Sequence, residues 1–241
     1  LRMEAKDSSS ASLLIDEEQS ADTETSHITE DVGRLVLSSN VKTVVFGDTP
    51  DADYSGTLTD TFLNINSDVN VSNEQLNTYT WPENMVANAV LIKADLSQLP
   101  DGARIKSATL KLYQTAAGGD ARYDVSVHKV INFDPDLAQA NGYSYDGIND
   151  WTANDACYNS IPLAQEDIAP ATDANSLDQT LELKSWDVTQ IVQDWLAGPA
   201  TNYGMLLNSD DVASSNSHRF FSSTQATDGS KRPKIEVMYV K

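Results

Sequence analysis

Cysteine is nearly absent. Cys157 is the sole example, so no disulfide can close within the chain. It has no basic neighbour to lower its pKa and reads as a small, semi-buried residue. Histidine is scarce as well: His27, His128 and His218 lie far apart, and no pair has the spacing of a metal site. Basic residues are few, 16 Lys and Arg against 36 Asp and Glu, for a formal net charge of −20. That imbalance argues against nucleic acid and against an anionic polysaccharide held in a basic groove, and it favours cations. No apolar run approaches the roughly 18 residues that span a bilayer, so membrane insertion is not expected. The sequence starts at Leu1 with no signal-peptide pattern, and the expectation is a mature product or fragment whose targeting segment is gone.

What is present suffices for a core. The 241 residues, 40% of them hydrophobic, can build one large β-sandwich or two small domains. One helix stands out, over about residues 187–197. Val188, Ile191, Val192, Trp195 and Leu196 recur at helical spacing and share a face. Asp187 suits the N-cap with Gln190 three places on, while Gly198 and Pro199 suit the stop. Nearly everything else reads as strand or loop, so this lone amphipathic helix is expected to lie against a sheet.

Residues 1–34 read as an acidic arm rich in Ser, Thr, Asp and Glu, with one apolar island, Leu13-Leu14-Ile15. Residues 35–241 read as a single module. Strand patterns cover Arg34–Leu37, Lys42–Phe46, Thr59–Ile65, Asn88–Asp95, Ile105–Tyr113, Tyr123–Val130, Asn202–Asn208, His218–Ser223 and Pro233–Val240. Two long polar stretches, 66–85 and 134–176, read as loops; loops this long are usually functional or packed by their own aromatics.

Four blocks carry a family resemblance. They are Tyr54–Phe62; Ala89–Ala103 running on through Ile105–Tyr113; Trp186-Asp187-Val188-Thr189 with Val192, Trp195, Gly198, Asn202, Tyr203 and Gly204; and Phe221-Ser222-Ser223 with Arg232-Pro233-Lys234-Ile235. Together they resemble the DNRLRE domain, a secreted β-sandwich module related to disaggregatase-type repeats of archaeal surface proteins and similar to some carbohydrate-binding modules. Lys93 and Ala94 depart from the Arg and Phe that the family often carries. The resemblance implies an all-β, two-sheet, antiparallel jelly-roll-like sandwich plugged by the helix, working outside the cell or on its surface.

Three residue sets are candidate sites, each with a plainer reading. Asp48, Asp51, Asp53 and Asp60 could wrap a Ca²⁺ ion, or form a solvated acidic turn. Tyr143, Tyr145, Trp151 and Tyr158 could stack on sugar rings, or pin their long loop to the sandwich; Tyr79 and Trp81 carry the same ambiguity. Leu13, Leu14 and Ile15 could add a strand to a neighbouring subunit's open sheet edge and so build a filament. Catalysis is not signalled. There is no nucleophile elbow, no carboxylate pair is singled out for glycoside hydrolysis, and Asp187 reads as a cap. Asn70-Val71-Ser72 is a lone glycosylation sequon. The first functional reading is therefore a non-catalytic extracellular subunit that assembles with itself through its arm. The second is a carbohydrate-binding module accessory to a polysaccharide-degrading enzyme, taking neutral glycans or acidic ones bridged by Ca²⁺.

Overall fold

The computed structural model describes residues 2–6, 11–14, 40–47, 57–65, 67–82, 86–153, 163–198, 201–209 and 212–241. The chain divides into two compact units, Leu1–Ser38 and Ser39–Lys241. In the first, β1 (Arg2–Lys6) and β2 (Ala11–Leu14) pair antiparallel, with Arg2 opposite Leu14 and a register shift between Met3 and Ala5. The strand expected at 34–37 lies outside the described residues.

The second unit is an all-β sandwich of two antiparallel sheets with one α-helix among the described residues. Its strands are β3 (Lys42–Gly47), β4 (Leu58–Leu63), β5 (Gln75–Trp81), β6 (Val86–Ala87), β7 (Ala89–Ala94), β8 (Arg104–Gly118), β9 (Tyr123–Lys129), β10 (Asp173–Leu177), β11 (Leu183–Asp187), β12 (Met205–Asn208), β13 (Ser217–Ser222) and β14 (Lys234–Val240). The five-stranded sheet runs β10-β9-β12-β7-β4. The seven-stranded sheet runs β3-β14-β8-β13-β5-β6, with β11 also pairing β8.

Alternation decides which side chains meet. Leu110 and Leu112 of β8 and Ile235 and Val237 of β14 face Val125 and Val127 of β9 and Val90 and Ile92 of β7 in the main core. The other face of the five-stranded sheet is buried too. There Leu63, Ala89, Leu91 and Leu206 meet Ala140, Trp151, Leu163 and Ala164 from the long segment that follows β9. Burial on both faces explains the unbroken apolar runs Val90-Leu91-Ile92 and Met205-Leu206-Leu207, which one-sided alternation would not produce.

The stretch 66–85 is not simply a loop, since β5 fills much of it. Leu76, Thr78 and Thr80 point inward and are buried while Asn77, Tyr79 and Trp81 point outward. Threonine supplies the β-branching that this strand lacks in aliphatics. β10 likewise lies inside the stretch read as irregular, and β8 continues five residues past Tyr113.

Helix α1 (Thr189–Leu196) sits beside the first half of β8. The Ala108 N–H donates to Thr189 Oγ1 at 2.9 Å, and Gln193 Nε2 donates to the Ile105 carbonyl at 3.1 Å. Ile191, Val192 and Trp195 enter the core, whereas Leu196 is exposed and leaves the predicted stripe. The cap differs from expectation by one residue. Asp187 ends β11 and Val188 is the N-cap, yet the Asp187 carboxylate still accepts the Thr189 N–H at 2.9 Å. Gln190 turns to Asp194 instead of closing a capping box. Gly198 has φ +86°, the left-handed conformation that ends the helix.

Candidate functional site

The described aromatics of residues 131–153 pack against one another and onto the five-stranded sheet, as the plainer reading of their loop has it. Trp151 is 2% exposed, and its Nε1 donates to the Asn141 carbonyl at 3.0 Å. Tyr145 stacks on Phe133, centroids 4.4 Å apart and rings 3° from parallel, and meets Trp151 edge-on. Tyr143 is half-buried against the same cluster. These rings help to hold the segment to the five-stranded sheet. Asn70, the sequon asparagine, reinforces this by donating to the Leu137 and Ala140 carbonyls at 2.9 and 2.7 Å. Buried Asp167 does the same, accepting from the Thr152 N–H and hydroxyl and from Asn132. His128 in β9 is half-buried. Its Nδ1 is 3.0 Å from the Ala169 carbonyl, and burial lowers its pKa.

Asp48, Asp51, Asp53 and Tyr158 lie outside the described residues, as do Ile15 and Cys157. Asp60 alone of the four aspartates is described. It is buried in β4, and its carboxylate accepts the Thr224 N–H at 2.8 Å and the Thr224 hydroxyl at 3.1 Å. No group of three His, Cys, Asp or Glu placed to hold a metal occurs among the described residues. Leu13 and Leu14 lie in β2, which already has β1 on one edge. Trp81 is 43% exposed and stacks on Tyr79 at 4.8 Å; the Tyr79 hydroxyl donates to Asn64 Oδ1, and burial raises its pKa.

A cleft of about 560 Å³ opens where the last turn of α1 meets the ends of β4 and β7. It is lined by Thr57 and Thr59, by Trp195 and Leu196, by Lys93 and the turn carrying Asp95, Ser97 and Asp101, and by Asn202. Each wall is fixed by the backbone. The Asp95 N–H donates to the Thr57 carbonyl at 2.9 Å, tying the β7–β8 turn to β4. The Asp95 carboxylate accepts the Ser97 N–H, which holds its pKa below the usual carboxylate range. Asn202 Nδ2 donates to the Ala94 carbonyl at 2.8 Å, and its Oδ1 accepts the Gly204 N–H. Gly204 has φ +92° and lies so close to β7 that a Cβ there would come 2.8 Å from the Ile92 carbonyl oxygen. Asn202-Tyr203-Gly204 thus folds as it does to bring the chain back against β7 at the cleft.

Trp195, one of the residues lining the cleft, is 9% exposed; its Nε1 is itself shielded from solvent and has no hydrogen-bond partner among the described residues, a cost of about 1–3 kcal/mol. In a second recess, near Glu74, Thr115 and Asp228, Lys231 pairs with Asp228 at 3.1 Å and Thr227 donates to Glu74.

The cleft residues stand in separate stretches of the sequence, as parts of a helix face, of strand patterns and of the family-like blocks. Ala94 to Asp101 belong to the second block, and Trp195 and Asn202 to the third. They meet because β7 and α1 end at the same corner, which no local periodicity reports. No protein-family model matches the chain, and no curated protein matches it in sequence.

Proposed function

We propose that this chain is a non-catalytic glycan-binding module acting outside the cell, with its ligand in the cleft at the end of α1. The observation that carries this reading is the convergence there of the edges of Trp195 and Leu196 with hydroxyls from Thr57, Thr59 and Ser97 and the carboxylates of Asp95 and Asp101. A small apolar edge beside a few polar groups suits a sugar, which offers both an apolar ring face and a rim of hydroxyls. The cleft's volume also lies within the range of small-ligand sites. The resemblance to carbohydrate-binding modules points the same way.

Affinity electrophoresis against a panel of neutral polysaccharides tests the reading. Thr59 is exposed on edge strand β4, so Thr59→Trp fills the cleft without touching the core. Retardation by at least one polysaccharide, lost in Thr59→Trp and kept in Trp151→Phe, is the expected result. A panel with no retardation removes the reading.

A second reading, self-assembly through the arm, has its own observation. Ala11–Leu14 is extended, as strand addition requires, and forms a hairpin with Arg2–Lys6. One edge of that hairpin, added to an open sheet edge of the next subunit, would build a filament. Sedimentation of the full chain against one lacking residues 1–38 decides. This reading expects assembly only with the arm present, and a shortened chain that still assembles removes it.

A further inference from the structure

This inference rests on the self-assembly reading and names the surface that receives the arm. Most cations of the second unit are answered within it. Six lysines pair with carboxylates. Arg122, Arg219 and Arg232 donate to backbone carbonyls. Lys42, Arg104, Lys106 and Lys241 are the rest, all four exposed and without an ion pair among the described residues. The fold gathers these four. Lys42 stands opposite Tyr239, and Arg104 opposite Val240, the neighbour of Lys241. Lys106 sits at the register shift beside Met238 and Tyr239. Cross-strand partners are about 5 Å apart at Cα, so the four charges share one rim of the sheet in a chain of −20.

The rim flanks a strand at the end of its sheet. Among the described residues β3 pairs with β14 alone, and it offers six residues of edge. Val41, just before it, and Met238, opposite its Thr43, are 39% and 42% exposed. Such an edge can take one more strand through main-chain hydrogen bonds. The sequence supplies a segment of matching charge. Residues 7–33 hold eight Asp and Glu and no Lys or Arg. Within them β2, which has β1 on one edge, is followed by Ile15 and then Asp16-Glu17-Glu18. Direction decides the fit. A strand laid antiparallel on β3 ends where β3 begins. In that sense β2 carries Asp16, Glu17 and Glu18 to the Lys42 rim, a reach of about 7–13 Å past Leu14 for extended chain. We propose that β3 receives β2 of a second copy in this antiparallel sense, with Asp16, Glu17 and Glu18 against Lys42, Arg104, Lys106 and Lys241. Exposed ion pairs are weak singly, so the main-chain bonds hold the strand and the charges choose its direction.

Two charge-reversed full-length chains test this. One carries Lys42→Glu, Arg104→Glu and Lys106→Glu; the other carries Asp16→Lys, Glu17→Lys and Glu18→Lys. Sedimentation velocity at low salt is expected to show the wild type assembling, and each variant alone needing at least about ten-fold more protein to do so. An equimolar mixture of the two variants is expected to recover assembly, because each arm then meets a rim of opposite charge on the other chain. The replaced rim side chains have no ion pair to lose, so the melting temperature is expected to stay near that of the wild type. If the reversal unfolds the chain, Lys42→Gln with Lys106→Gln decides in its place and is expected to weaken assembly. A folded rim variant that assembles as the wild type does overturns this inference; the arm reading still stands where removal of residues 1–38 abolishes assembly. A mixture that stays unassembled overturns docking between copies, as when each arm lies on its own chain. A wild type that is monomeric at every concentration removes both the inference and the arm reading.

Discussion

Arg219 is fully buried, and all five of its N–H groups are answered by backbone carbonyls. Nε donates to Asp178, one terminal nitrogen to Gly118 and His218, and the other to Asp120 and Leu177, at 2.8 to 3.2 Å. The guanidinium also lies over the Tyr123 ring, 5.4 Å from its centroid. Arg219→Met would strand several of those carbonyls without donors. The expected loss is about 3 kcal/mol or more, read as a lower urea midpoint. Nearby, Lys184 donates to Asp178 at 2.7 Å, and this bond, helped by the Thr180 N–H, holds the Asp178 carboxyl down to about 2. A depressed carboxylate stabilises the fold above its unfolded value and loses that contribution as pH falls through its folded value. The window here runs from 3.8 down to about 2. Asp178→Asn should therefore lower the melting temperature at pH 6, and the difference from wild type should shrink on acidification and close near pH 2.

At the scale of elements, α1 shows how a small cap error leaves an assignment intact. Its apolar face apart from Leu196, its stop at Gly198 and its place against a sheet were legible, because helical periodicity and glycine's left-handed freedom are local properties. The cap moved by one residue because Asp187 is held by β11 pairing opposite Thr109. Its carboxylate still reaches the Thr189 N–H, so Asp187→Ala is expected to cost about 1 kcal/mol in chemical denaturation. The segment 131–153 was legible as a cluster of aromatics, but whether the rings face water or the sheet depends on what lies beneath. Leu63, Leu91 and Leu206 present an apolar outer face, and Trp151 covers it. Trp151→Ala is expected to cost about 3–5 kcal/mol and to speed amide exchange in this segment ahead of the rest. β5 escaped notice because its inward positions include Thr78 and Thr80, whose hydroxyls bond to the Arg219 carbonyl and to the Tyr123 hydroxyl inside the sandwich.

At the scale of the whole molecule, the sandwich follows from alternation repeated strand by strand, and that part of the sequence could be read directly. The cleft could not. Thr59, Asp95, Trp195 and Asn202 span more than half of the chain and meet only because β4, β7 and α1 end at one corner. Each looks ordinary in its own neighbourhood. The most visible aromatics, by contrast, are used for packing. The claim that joins these facts is that a neutral glycan binds at this corner and not on the aromatic segment. Amide chemical-shift mapping of the full chain, titrated with the best-retained neutral oligosaccharide, tests it most directly. The account predicts saturable shifts centred on Thr59, Lys93, Asp95, Ser97 and Asn202. Shifts centred instead on Tyr143 and Tyr145, or on Trp81, would contradict it.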